Sequence, residues 1–155
     1  MSTRGVQELK KNKVPFEVVQ YDHREKGAAF AAQAVGFGLA QTIKTLVVAV
    51  DNDRYVMVLM PGDRQVSMKK VAGACKAKRA AMADTETAQR LTGYLIGGIS
   101  PFGAKKKLPV FMEATLQKHA EVMINAGQRG TMIKITPGDI IRLLKPTTTD
   151  LVLES

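Results

Sequence analysis

Eight residues, Ile43-Lys44-Thr45-Leu46-Val47-Val48-Ala49-Val50, form the clearest strand in the chain and constrain its fold more than any other stretch. A near-continuous apolar run of this length reads as a strand buried on both faces, and therefore as a central one. Asp51-Asn52-Asp53 is turn chemistry, so Arg54 to Met60 is expected to return as the hairpin partner. Pro61-Gly62-Asp63 ends the pair. The sheet built on this hairpin alternates irregularly with helical segments, which predicts an α+β fold with a mixed, largely antiparallel sheet flanked by helices.

The remaining elements follow from caps and breakers. A first helix is expected from about Ser2 to Lys13 with Ser2 or Thr3 as N-cap, and Phe16 to Tyr21 reads as a strand. Asp22 to Gly27 is a charged loop, Ala28 to Val35 an Ala-rich helix, and Gly36 to Gly38 its end. Ser67 caps a helix from Met68 to about Ala74, and a short strand is expected within Lys78 to Met82. Asp84 is the expected N-cap of a helix from Thr85 to Thr92, with Gly93 at its C-cap. Leu108 to Met112, Glu121 to Asn125 and Thr131 to Ile135 read as strands, and Thr115 to Ala120 as a helical turn or two. Thr136-Pro137-Gly138-Asp139 opens a last helix that runs to about Leu144, because Pro fits the first helical position and Thr the cap. Pro146 to Thr149 is expected to be an irregular tail.

Two features point to chemistry. Lys44 lies inside an apolar central strand, where an unpaired charge is costly unless its amine reaches a pocket; the alternative is a stem laid along the sheet with the amine in water. Thr45 follows it and points to the opposite face, with its backbone amide still available. The second feature is Gly93-Tyr94-Leu95-Ile96-Gly97-Gly98-Ile99-Ser100-Pro101-Phe102-Gly103, with four glycines and a proline in eleven residues. Such a loop can turn free N–H groups toward an anion or oxyanion, or it can be a tight surface connection. Its apolar residues favour inward packing, and Lys105-Lys106-Lys107 follows as a cluster suited to phosphate or to a solvated turn.

Composition narrows the function further. The 155 residues suffice for one domain with its own core. A balance of 23 basic against 14 acidic residues, +9 net, favours a polyanionic partner, foremost nucleic acid. No run is long enough to span a membrane and no signal-peptide core is present, so a cytoplasmic location is expected. The one cysteine, Cys75, excludes an internal disulfide. His23 and His119 belong to no metal-ligand spacing, and no nucleophile elbow or phosphate-binding loop of the Walker type is present. Neither a metal nor a cofactor is expected. An enzyme built this way would supply positioning and electrostatics, and the nucleophile would come from elsewhere.

Taken together, Lys44-Thr45-Leu46-Val47-Val48, Ala83-Asp84, Ala88-Gln89-Arg90, the segment from Thr92 to Gly103, Lys105-Lys106, Leu108-Pro109, Gly127-Gln128-Arg129-Gly130 and Gly138-Asp139 resemble the YbaK/EbsC family, and within it the YbaK-type Cys-tRNA(Pro) deacylases. The resemblance spans Phe16 to Leu144. It implies a freestanding relative of the editing domain of prolyl-tRNA synthetase, with a sheet partly closed into a barrel. It implies removal of cysteine from mischarged tRNA(Pro) by attack of the substrate's own thiol on its ester. Residue by residue, it implies that Lys44 is the essential lysine, and that Gly97 and Gly98 offer N–H groups to the ester oxygen. Tyr21 and Phe30 would be pocket aromatics, and Ile99, Ser100 and Pro101 would complete the substrate loop with Thr45 beside them. Asn125 stands where the family has a serine, and still offers hydrogen bonds. Lys105, Lys106 and Lys107 would meet the acceptor stem. The implied partners are tRNA and prolyl-tRNA synthetase. Removal of another amino acid, such as alanine, and a noncatalytic tRNA- or synthetase-binding module stay open as alternatives.

Overall fold

The structure is a computed structural model that describes residues 3–20 and 38–154. The charged loop, the Ala-rich helix, Tyr21 and Phe30 lie outside the described residues. Strand β2 (Thr42–Val50) pairs along its whole length with β3 (Arg54–Pro61), from Ile43 opposite Pro61 to Val50 opposite Arg54. Their side chains alternate cleanly. Val48 and Val50 of β2 pack with Val56, Val58 and Met60 of β3 on one face, whereas Ile43 and Val47 lie on the other, with Leu59 and Met57 respectively. The expected burial on both faces is therefore met.

The other edge of β2 is divided. Thr42 and Ile43 pair in parallel with Met123 and Ile124 of β6 (Val122–Gln128), while Val48 to Val50 pair antiparallel with β4 (Ala80–Met82). The Ala83 N–H donates to the Val47 carbonyl at 3.0 Å and carries the β4 side one residue further. Among the described residues, no strand covers this edge of β2 between Ile43 and Val47.

From β1 (Glu17–Gln20) the sheet runs through β7 (Thr131–Ile135), β6, β2, β3 and β5 (Val110–Glu113) to β8 (Thr147–Thr149), with β4 on β2 beside this path. Pairings are mixed, as expected, but the sheet is not closed into a barrel. Barrel closure requires the outermost strands to pair, and among the described residues β1 pairs only with β7 and β8 only with β5. The faces are covered by helices instead. Val6 and Leu9 of α1 (Arg4–Lys11) and Ile140 of α4 (Pro137–Leu144) enter the largest core cluster, and Ala88 and Leu91 of α3 (Thr85–Thr92) enter its neighbour. Val71 of α2 (Met68–Ala74) and Cys75 just beyond it pack on the opposite face. The caps are those the sequence predicts: Thr3, Ser67, Asp84 and Thr136 each accept a backbone N–H, and Gly93 closes α3 with a left-handed φ of 78°. No helix among the described residues is long and apolar enough to cross a membrane.

The tail is not irregular. Thr147 to Thr149 join β5 in parallel, and Leu151 is fully buried. The cause is a long-range bond that no local rule reveals: Glu113, 1% exposed, accepts the Leu151 N–H at 2.8 Å and the Thr115 N–H at 2.8 Å. Replacing Glu113 by Ala strands a buried donor, which typically costs about 1–3 kcal/mol. The urea midpoint is expected to fall accordingly, and Glu113→Gln, which keeps an acceptor, is expected to fall less. An unchanged midpoint in Glu113→Ala would remove this account of the tail.

Candidate active site

The uncovered stretch of β2 forms one wall of a cavity of about 360 Å³. This lies within the range of small-ligand sites. Both faces of the strand contribute, because the cavity wraps its edge: Lys44 and Leu46 on one side, Ile43, Thr45 and Val47 on the other. Ala83, Thr85 and Ala88 close it from the start of α3, Ile96, Gly97 and Ile99 from the glycine loop, and Asn125 and Met132 from β6 and β7. Met82 and Ile96 are 51% and 44% exposed, leaving apolar surface at the mouth. A second, more polar depression of about 560 Å³ lies among Asp63, Glu113, His119 and Asp150 and includes none of the residues expected at the site.

Lys44 is half-buried, and burial lowers the pKa of its amine below the ordinary lysine range, with the charge of Asp63 opposing that shift in part. No carboxylate among the described residues comes within ion-pair distance of it. Thr45 points to the face opposite Lys44, as expected. Its face is the one that α3 and the glycine loop cover, so it belongs to the cavity wall, and its Oγ1 is buried with no hydrogen-bond partner. Buried hydroxyls are nearly always paired, so one with no partner among the described residues stands out in a cavity wall.

The glycine loop divides into a buried base and an exposed tip. Tyr94, Gly98, Ser100, Pro101 and Phe102 are buried, whereas Leu95, Ile96 and Gly97 are exposed. Ser100 is wholly inside, where its Oγ accepts the Phe102 N–H at 3.1 Å. Gly98 uses its N–H within the turn, donating to the Leu95 carbonyl at 2.9 Å. Gly97, on the cavity wall, makes no such bond among the described residues. The tip is held from three sides. Gln89 of α3 accepts the Ile96 N–H at 3.0 Å, Asn125 donates to the Gly97 carbonyl at 3.1 Å, and Arg129 donates to the Ile96 carbonyl at 3.3 Å. Asn125 also accepts the Gly127 and Gln128 N–H groups at 2.7 and 3.1 Å, tying the bulge that interrupts β6 to the loop.

Lys44, Thr45, Gly97, Ile99 and Asn125 are thus brought together, while Ser100 and Pro101 support the loop from beneath. Lys105, Lys106 and Lys107 are exposed beyond the loop, and the backbone N–H groups of the first two bond to the Thr92 and Leu91 carbonyls at the end of α3. The sequence reading assigned no role to Gln89 and Arg129. Both lie inside segments that carry the family resemblance, which was the signal available for them. Among the described residues, the cavity wall has no Ser, Cys, His, Asp or Glu, and no group of three such metal-ligating side chains occurs elsewhere.

Comparison with known proteins agrees with this arrangement. The family model of the aminoacyl-tRNA editing domain matches residues 24–143. EbsC of Enterococcus faecalis, named as a candidate Cys-tRNA(Pro)/Cys-tRNA(Cys) deacylase, is 29% identical over 143 residues, which is 91% of this chain and 87% of that one. The multifunctional Ser/Thr-tRNA deacylase ProXp-y of Escherichia coli is 27% identical over 135 residues, 84% of this chain and 80% of its own. A crystal structure of a candidate trans-editing enzyme for prolyl tRNA synthetase superposes with a TM-score of 0.90 at 26% identity, covering 97% of this chain and 96% of that one. The match covers the uncovered edge of β2, α3, the glycine loop and the β6–β7 hairpin, and the chain belongs to the aminoacyl-tRNA editing domain family.

Proposed function

We propose that the protein is a trans-acting deacylase that removes cysteine from mischarged tRNA(Pro). One observation carries this reading: a cavity of small-ligand size has a lysine, a loop amide and an unpaired hydroxyl in its wall, but no Ser, Cys, His, Asp or Glu among its described residues. With no His, Asp or Glu in that wall to activate a hydroxyl, the nucleophile is taken to come from the substrate or from water. A cysteinyl ester brings its own. The substrate thiol loses its proton and its sulfur bonds to the ester carbonyl carbon. The bond from that carbon to the 3′ oxygen of the terminal ribose breaks, and the oxygen takes up a proton. The four-membered thiolactone released is then hydrolysed to cysteine.

In this scheme the Gly97 N–H donates to the ester oxygen as negative charge develops on it, a contact whose loss typically lowers kcat about 10²–10³-fold. The Gly98 N–H, used by Leu95, fixes the turn that aims its neighbour. Lys44 stabilises charge near the terminal ribose, and Thr45 accepts or donates a hydrogen bond to the aminoacyl group. Lys105, Lys106 and Lys107 contact acceptor-stem phosphates, which makes binding weaken with salt. The resemblance to a candidate trans-editing enzyme for prolyl tRNA synthetase supports that synthetase as a partner.

The orphaned Thr45 hydroxyl favours a second reading, cleavage of seryl or threonyl esters by an activated water. It is a polar group that a substrate hydroxyl would satisfy, and the E. coli relative is named for those substrates. Four purified esters of tRNA(Pro) or its cognates, Cys, Ala, Ser and Thr, separate the readings. Preference for Cys supports the thiol-assisted route, and equal or faster cleavage of Ser or Thr rejects it in favour of water. Cleavage of none of them leaves a noncatalytic tRNA-binding module.

Two further outcomes are expected. Lys44→Ala should lower kcat/KM on the preferred ester by about 100-fold or more, the scale on which removal of a charge-stabilising group acts; retention of wild-type turnover would exclude Lys44 from the chemistry. Because burial disfavours the charged amine, Lys44 should lose its proton at lower pH than an exposed lysine. A carbon NMR titration of the lysine side chains should show one early midpoint that is absent in Lys44→Ala. Titration with the other lysines would mean that its amine sits in water.

A further inference from the structure

The family match begins at residue 24, yet α1, at Arg4–Lys11, reaches the glycine loop at both of its ends. At the entry, Arg4 Nη2 donates to the Thr92 carbonyl at 2.9 Å, and its guanidinium carbon lies 5.2 Å from the centre of the Tyr94 ring. At the exit, Glu8 Oε2 accepts the Gly103 N–H at 2.6 Å. The Tyr94 hydroxyl donates to the Phe102 carbonyl and joins the two ends beneath the tip. The fit between the backbones is close. A Cβ on Gly103, whose φ is 67°, would lie 2.5 Å from the Arg4 carbonyl oxygen, and one on Gly5 would lie 2.7 Å from the Ala126 carbonyl oxygen. The Thr3 hydroxyl donates to that same Ala126 carbonyl, one residue from Asn125. Val6 and Leu9 anchor the helix in the main core, so its polar side cannot drift from the loop.

We infer that α1 is a positioning element of the site, and that Arg4 and Glu8 hold both ends of the glycine loop so that Gly97 meets the substrate in one conformation. The inference rests on the deacylase reading for its kinetic consequence only. The exposed tip, Leu95 to Gly97, is held by Gln89, Asn125 and Arg129, and its stems are held by Arg4 and Glu8. Where the Gly97 amide points therefore depends on its stems as well as on those three bonds. Neither Arg4 nor Glu8 touches the cavity, so they act on the rate of the chemical step through Tyr94 and Gly103, and do not act on tRNA binding.

The test uses the full chain with Arg4→Ala, Glu8→Ala and Glu8→Gln. On the preferred aminoacyl-tRNA, the two alanine variants are expected to lose about 10-fold to 100-fold in kcat, the scale on which small misplacement of reacting groups acts, with KM unchanged. Glu8→Gln, which keeps an oxygen acceptor for Gly103, is expected to restore most of the rate. Hydrogen exchange provides a readout that needs no activity: amides from Ile96 to Gly103 should exchange faster in the alanine variants while those of β3 and β6 keep wild-type protection. Faster exchange across the whole sheet would mean that α1 is only a stabilising helix and would overturn the inference. So would unchanged loop exchange, or a change confined to KM. If the wild type cleaves no ester, the deacylase reading fails, and loop exchange alone still decides the role of α1.

Discussion

Strand β2 has two edges of different kinds, and the cavity exists because they differ. One edge pairs with β3 through its whole length, which fixes the direction of every side chain from Ile43 to Val50. The other is shared by β6, parallel at the start, and β4, antiparallel at the end. Strands of opposite sense approaching one edge from its two ends diverge between their contacts. Among the described residues, the gap that opens spans Lys44 to Leu46 of this central strand. A buried sheet normally satisfies all its backbone groups, so a break in the ladder at the middle of the molecule is a feature that the neighbouring helices and loops must shape.

They shape it by holding one loop from several sides. Gln89, Asn125 and Arg129 grip the tip, Tyr94 and Phe102 pack its base, and α1 seizes its stems. A glycine-rich segment loses more conformational freedom on ordering than other sequences do, and these bonds offset that loss. The result suits a site whose described wall has no Ser, Cys, His, Asp or Glu. Where electrostatics and position do the chemistry, donors must be in place before charge develops, and a loop this heavily tied can keep its amides aimed.

The wall chemistry also bears on selectivity. Thr45 and Asn125 are polar, Ile43, Val47, Ala88, Ile99 and Met132 are apolar, and Lys44 is the wall's only ionisable described side chain. On the proposed function, such a mixture would admit small aminoacyl groups and leave their identity to single hydrogen bonds. A pocket that merely tolerates an extra hydroxyl discriminates weakly, whereas one that bonds it discriminates strongly. On the proposed function, the Thr45 hydroxyl is the group on which that distinction would turn.

Much of this was legible along the chain, because it depends on local rules. The caps at Thr3, Ser67, Asp84 and Thr136, the left-handed end at Gly93, the β2–β3 hairpin and the irregularity of the 93–103 loop each follow from residues within a few positions of one another. Lys44 stood out because a charge in an apolar strand needs a reason, and the ordered segments around it pointed to an editing domain. What only the tertiary structure decided involves partners distant in sequence. The tail becomes β8 because Glu113 meets Leu151, and the sheet stays open because its outermost described strands, β1 and β8, do not pair with each other. Thr45 faces the cavity because α3 and the glycine loop cover its side of β2, Gly98 spends its amide on Leu95, and Arg4 and Glu8 reach a loop some ninety residues away. Local propensity can name a strand, a cap or a turn, but which edges meet and which polar atoms remain unpaired is settled only when the whole chain packs.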